Sequence, residues 1–90
     1  MPGVNYAIRV TATARKELRA VAQRDRVRIM DRIALLVQQP RPIGCVKLEA
    51  SDSLYRLRQG DYRIIYKIED KDVLVLVVKI GHRRDVYEKR

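Results

Sequence analysis

Arginines recur at alternate positions in Leu54-Tyr-Arg-Leu-Arg-Gln-Gly-Asp-Tyr-Arg-Ile-Ile-Tyr-Lys-Ile68, and a second basic cluster, Gly81-His-Arg-Arg-Asp-Val-Tyr87, follows an apolar run. Alternate residues of a strand share a face. Arg56, Arg58, Arg63 and Lys67 are therefore expected on one face of a hairpin. Tyr55, Leu57, Tyr62, Ile64, Tyr66 and Ile68 fall on the other, the natural core face. A two-residue loop at Gln59-Gly60 sets Arg58 opposite Asp61 and Arg56 opposite Arg63. Directly opposed arginines repel. A phosphate or carboxylate between them relieves that repulsion, and guanidinium is the fork that grips such an anion. The plainer alternative is a solvated face whose long Arg stems cover apolar surface. The second cluster, His82, Arg83, Arg84 and Tyr87, favours the anion site, because a loop after a buried strand can bring its side chains to a rigid sheet.

No carboxylate dyad and no metal-ligand spacing stands out. His82 is the single histidine, and histidine is the side-chain type suited to proton transfer near neutrality. A loop histidine with no role is the equal alternative. Cys45 is the single cysteine and reads as a small half-buried residue before a strand. It allows no internal disulfide and fits a reducing compartment.

The 90 residues suit one small domain, 1–90, with a modest core. Apolar residues make up 47%, too many for a disordered chain, and with no Trp and no Phe the core must be built from Tyr, Ile, Leu and Val. Twenty Lys and Arg against eleven Asp and Glu give a formal charge of +9, with Arg outnumbering Lys. That excess implies a polyanionic partner: nucleic acid, an acidic protein, or both. No signal peptide is recognisable, and Val73–Val78 is too short to span a bilayer, so a cytoplasmic protein is expected.

These elements must position the arginines. Tyr6–Val10 reads as a first strand. Thr11 and Thr13 are candidate caps for a helix over Ala14–Ala22, and Gln23-Arg24-Asp25 reads as a turn. A second helix runs to Gln39, where Pro40 and Pro42 end it. Val27, Met30, Ala34 and Val37 mark its apolar stripe, flanked by Ile29, Ile33 and Leu36, with Arg26, Arg28, Arg32 and Gln38 opposite. From Val46 the chain is strand-like: Val46–Glu49, a loop at Ala50–Ser53, the hairpin, a polar turn at Glu69–Asp72, and the run Val73–Val78. That run lacks alternation, so it should lie inside the sheet, ending at Gly81. The expected fold is α+β, in the order β-α-α-β-β-β with three or four strands after the helices. Its small antiparallel-rich sheet is covered on one face by an N-terminal helical hairpin.

The paired motifs, Tyr55-Arg-Leu-Arg-Gln-Gly-Asp-Tyr-Arg-Ile-Ile-Tyr66 and Gly81-His-Arg-Arg-Asp-Val-Tyr87, resemble the RelE family of bacterial toxins, within the RelE/ParE superfamily. The resemblance spans essentially the whole chain. It implies the toxin of a toxin–antitoxin pair: a ribosome-dependent, metal-independent endoribonuclease that cleaves mRNA in the A site. The ribose 2′-hydroxyl then attacks the adjacent phosphate, with no cofactor, and an acidic antitoxin neutralises the protein. Operator DNA is reached only through that antitoxin, and no membrane is involved. By position, Arg63 matches the arginine that steadies the phosphate, Arg83 the one near the leaving oxygen, and Tyr87 the tyrosine that orients the nucleotide. Arg56 and Arg58 stand where relatives carry lysines used in proton transfer. Arginine stays protonated and makes a poor acid or base, which turns attention to His82 and Tyr87. The catalytic set expected is thus Arg56, Arg63, His82, Arg83 and Tyr87, with Arg58, Lys67 and Arg84 contacting RNA. The alternative is a ParE-like toxin that poisons DNA gyrase without cutting RNA. A silent relative that only binds its antitoxin is the third reading.

Overall fold

The computed structural model describes residues 5–49 and 53–82. In chain order the elements are β1 (Ala7–Val10), α1 (Ala12–Arg19), α2 (Gln23–Leu35), β2 (Val46–Lys47), β3 (Leu54–Gln59), β4 (Tyr62–Glu69) and β5 (Leu74–His82). One five-stranded sheet has the order β1-β5-β4-β3-β2. The expected α+β architecture holds. β1 runs parallel to β5, so the sheet is mixed, while the other neighbours are antiparallel. The apolar run lies inside the sheet as expected, paired on both sides.

Thr11 caps α1: its Oγ1 accepts from the Ala14 N–H at 3.1 Å, satisfying an amide that the first turn leaves open. Thr13 lies inside the helix. The helix ends at Arg19 and the turn falls at Ala20–Ala22, three residues earlier than the charged Gln23-Arg24-Asp25 suggests. Arg26 explains part of this shift, because its guanidinium donates to the carbonyls of Arg19 and Val21 at the end of α1. It joins the two helices.

The core gathers Ala14, Val21, Ile29, Ile33 and Leu36 from the helical region against Tyr55, Leu57, Ile64, Tyr66, Ile68, Val75, Val77 and Ile80 from the sheet. On α2 the buried stripe is Ile29 and Ile33, continued by Leu36; Val27 and Met30 stay half exposed, at 50% and 52%. The expected stripe through Val27, Met30 and Ala34 is thus corrected. Apolar residues occur around most of α2, and the sheet covers one stripe of them.

The end of the sheet away from the β3–β4 hairpin tip is tied by a polar clasp. Arg41 donates from both terminal nitrogens to Asp70, at 3.3 and 2.8 Å, and Tyr6 donates to the same carboxylate at 2.8 Å. The Arg41 Nε also reaches the Tyr55 hydroxyl at 3.1 Å. The Arg41 bonds, and then that from Tyr6, hold the Asp70 carboxyl below the usual carboxylate range. A depressed carboxyl contributes stability that is present above its unfolded-state pKa and lost as pH falls through the folded one. Asp70→Asn should therefore lower the melting temperature at neutral pH, and the gap to wild type should close on acidification. Identical melting curves at neutral pH would show the clasp to be idle.

Candidate nucleic-acid site

The β3–β4 hairpin turns at Gly60-Asp61, since Gln59 pairs with Tyr62. Gly60 has φ +62°, and glycine at the first loop position is what a type II′ turn requires. The expected Gln59-Gly60 loop is therefore displaced by one residue. The pairing shifts with it: Arg58, not Arg56, lies opposite Arg63, and Arg56 lies opposite Ile65. The shift changes each pairing by two positions in all. Because side chains alternate with period two, no residue changes face.

Arg56, Arg58, Arg63 and Lys67 thus share one side of the sheet, together with Ile65. The helices pack on the other side, against Leu57, Ile64 and Tyr66. Opposed residues of an antiparallel pair have Cβ atoms about 5 Å apart, so the Arg58 and Arg63 stems start side by side. The row continues into β5, where Gly81 is the partner of Arg63. A glycine there adds no side chain of its own to the row.

Arg63 is only 5% exposed, not on the surface as a basic hairpin suggests, whereas Arg58 is exposed. Arg63 lies in the middle strand, where a long aliphatic stem can lie along the sheet. Lys67 is shared with Glu69, Nζ to Oε2 at 3.0 Å. Both side chains are well exposed, so that pair is weak and an incoming phosphate can compete with it. Nothing in the sequence pattern singled out Glu69.

His82 is the last residue of β5, not part of a following loop, and Gly81 lies within the strand. A bulge decides its face. Ile65 pairs with Lys79 and Tyr66 with Val77, which leaves Val78 as an extra residue on β5. Bulges of this kind re-aim the side chains beyond them. Here Ile80 and His82 are turned to the helix side and Gly81 to the arginine side. The His82 ring accordingly meets the Tyr62 ring edge-on, with centroids 5.5 Å apart and planes at 79°. The sheet thus places His82 across from the arginines with which the sequence groups it. Arg83, Arg84 and Tyr87 lie outside the described residues. Among the described residues, no three His, Cys, Asp or Glu side chains converge as a metal site, and no helix is long and apolar enough to cross a membrane.

The chain is similar over nearly its full length to known toxins. It is 27% identical over 85 residues to Toxin RelG of Mycobacterium tuberculosis, covering 93% of this chain and 98% of that one. It is 28% identical over 88 residues to the mRNA interferase toxin RelE of Escherichia coli, covering 93% and 92%. The archaeal RelE–RelB complex of Pyrococcus horikoshii superposes with a TM-score of 0.79 at 28% identity, covering 89% of this chain and 97% of that chain. Residues 8–87 match the family model described as "ParE toxin of type II toxin-antitoxin system, parDE". A helical pair on one side of a mixed sheet, a basic hairpin on the other and these full-length similarities converge: the chain belongs to the ParE-type toxin family of type II toxin–antitoxin systems, as a RelE-like member of the RelE/ParE superfamily.

Proposed function

We propose that this toxin is a ribosome-dependent endoribonuclease that cleaves mRNA in the A site by attack of a ribose 2′-hydroxyl on the adjacent phosphate. The observation that carries the reading is Arg58 opposite Arg63, with Gly81 completing the row. Two arginines side by side across the strand pair suit the charge that develops on a phosphorane. Positive charge held in place in this way stabilises the developing dianion without a metal ion. Arg56 and Lys67, further along the same face, suit the flanking backbone. Arg83 and Tyr87 complete the catalytic set by resemblance, and Arg84 adds a contact to RNA. Relatives named as mRNA interferases support the activity.

The gyrase-directed reading is kept because the matching family model carries the ParE name. Induced expression separates the two. Primer extension on translated messages should show new 5′ ends inside coding regions. Intact messages with accumulating gyrase-linked DNA breaks would establish the other activity.

His82 is the proposed group that its geometry least favours for proton transfer, since it faces away from Arg58 and Arg63. We expect His82→Gln to cleave within about tenfold of wild type on programmed ribosomes, whereas an effective general acid or base is worth about 10²–10⁴-fold. A loss of that larger size would place His82 in the chemistry, reached round the end of β5. With His82 aside, the Tyr87 hydroxyl or the ribosome supplies proton transfer, and Tyr87→Phe distinguishes them.

The partner proposed is an acidic antitoxin, in keeping with the +9 charge and with the RelB complexes formed by structural relatives. Co-expression of the two neighbouring reading frames should yield a stable complex. Recovery of this chain alone, soluble and non-toxic, would count against it.

A further inference from the structure

Glu17 lies on α1, off the arginine face, yet it holds the strand end beside the proposed site. β1 pairs with β5 only as far as Val10 and Val77. Beyond that point the edge of β5 has no neighbouring strand among the described residues, and its backbone groups need other partners. The start of α1 supplies them. The Thr11 N–H donates to the Val77 carbonyl at 3.0 Å, and the Thr11 hydroxyl to the Val78 carbonyl at 3.4 Å. The Ile80 N–H then donates to Glu17 Oε1 at 2.8 Å, and Lys79 Nζ to Glu17 Oε2, also at 2.8 Å. One carboxylate therefore continues the ladder where the strand is missing. A charged acceptor makes such bonds stronger than neutral ones, and the Glu17 side chain is only 25% exposed.

The location gives this contact its consequence. Immediately before it, the bulge at Val78 interrupts the β4–β5 ladder. Immediately after it, Gly81 pairs with Arg63 and His82 with Tyr62. A strand leaving a bulge has fewer constraints on its path, and Glu17 supplies two at consecutive residues. Under this strand end lies a cleft of about 270 Å³, lined by Glu17, Ala20, Val21, Tyr62 and Lys79 among others, into which an untethered end could shift. From this geometry we infer that Glu17 is a positioning residue for RNA cleavage: it fixes Lys79 to His82 and, through them, the seat of Gly81 against Arg63. The inference rests on the ribonuclease reading above.

Three variants divide the role. Glu17→Ala removes both bonds. Glu17→Gln keeps an oxygen for the Ile80 N–H and discards the charge facing Lys79. Thr13→Ala, on the same helix and exposed, is the control. A small misplacement of a reacting group can cost about 10²-fold. Glu17→Ala should lower the maximal single-turnover rate on programmed ribosomes by about 10- to 100-fold, leaving the half-saturating toxin concentration within about twofold. Glu17→Gln should recover most of that rate, and Thr13→Ala should match wild type. Amide exchange should accelerate at Ile80 and Gly81 in Glu17→Ala, with Ile64 and Val77 unchanged. Wild-type rates in Glu17→Ala overturn the inference. So does exchange that rises equally throughout the core, because Glu17 would then be merely structural. If the wild-type toxin does not cleave, the ribonuclease reading fails by itself. The positioning claim is then decided by the Arg63 Nε and Gly81 amide resonances: displacement in Glu17→Ala with return in Glu17→Gln sustains it, and unchanged resonances end it.

Discussion

Arg63→Ala should lower single-turnover cleavage on programmed ribosomes by about 10²–10³-fold, the usual cost of removing one preorganised donor to a developing oxyanion. Arg63 is the strongest candidate for that size of effect because it lies in the middle strand, only 5% exposed, with Arg58 on one side and Gly81 on the other. A side chain so enclosed loses little freedom on meeting the phosphate. Truncating a side chain this buried also gives up the packing of its stem, so the folding cost is read separately, by thermal melting of the antitoxin complex. Arg63→Lys keeps the charge and loses the planar fork, so it should recover only part of the rate. A folded Arg63→Ala protein that cleaves within tenfold of wild type would remove Arg63 from the chemistry.

The largest effect on stability is expected at Tyr66. Its ring is fully buried in the middle strand, stacked on Tyr55 with centroids 6.0 Å apart, and its hydroxyl donates to the Pro40 carbonyl at 2.8 Å. Tyr66→Ala should cost about 3–5 kcal/mol, as buried aromatic truncations do. That is much of the stability of a domain this small. Tyr66→Phe keeps the ring and leaves the Pro40 carbonyl without its donor, for about 1–2 kcal/mol. Denaturant melts of the two variants measure the difference, and equal losses would mean that the hydroxyl, not the ring, matters. Burial pushes the Tyr66 hydroxyl well above the ordinary tyrosine range. A group whose folded pKa is raised contributes stability that is intact below its unfolded pKa and is lost as pH rises towards the folded value. Wild type should thus weaken above about pH 10, where unfolded tyrosine ionises, and Tyr66→Phe should weaken less.

Local chemistry makes much of this protein legible in its sequence. The Thr11 cap, the alternation along both hairpin strands and the unalternating Val run each depend on neighbours a few residues away. The end of the second helix is corrected: α2 stops at Leu35, short of the Gln39 that Pro40 suggests, and the chain goes on in turns such as Leu36 N–H to the Ile33 carbonyl. The faces survived even an error in the loop, because a displacement of two positions preserves side-chain parity. Thus the sequence groups Arg56, Arg58, Arg63 and Lys67 on one face, as the sheet has them, although it mispairs Arg56 with Arg63. A glycine in a tight loop does not by itself reveal whether it comes first or second, and that choice moved the opposed pair from Arg56–Arg63 to Arg58–Arg63.

Tertiary structure decided the rest, through contacts between residues far apart in sequence. The bulge at Val78 exists only in the pairing of β5 with β4, and it turns His82 towards Tyr62 and Gly81 towards Arg63. No local pattern in the apolar run signals it, because Val77 and Val78 are identical in type and either could face inward. Glu17 meets Ile80, 63 residues away, because β1 is shorter than β5 and α1 fills the gap. The clasp of Arg41, Asp70 and Tyr6 joins two connecting segments and the residue before β1, which only the closed sheet brings together. The stripe α2 buries was likewise chosen by the sheet: with apolar residues around most of the helix, periodicity alone could not favour Ile29 and Ile33 over Val27 and Met30.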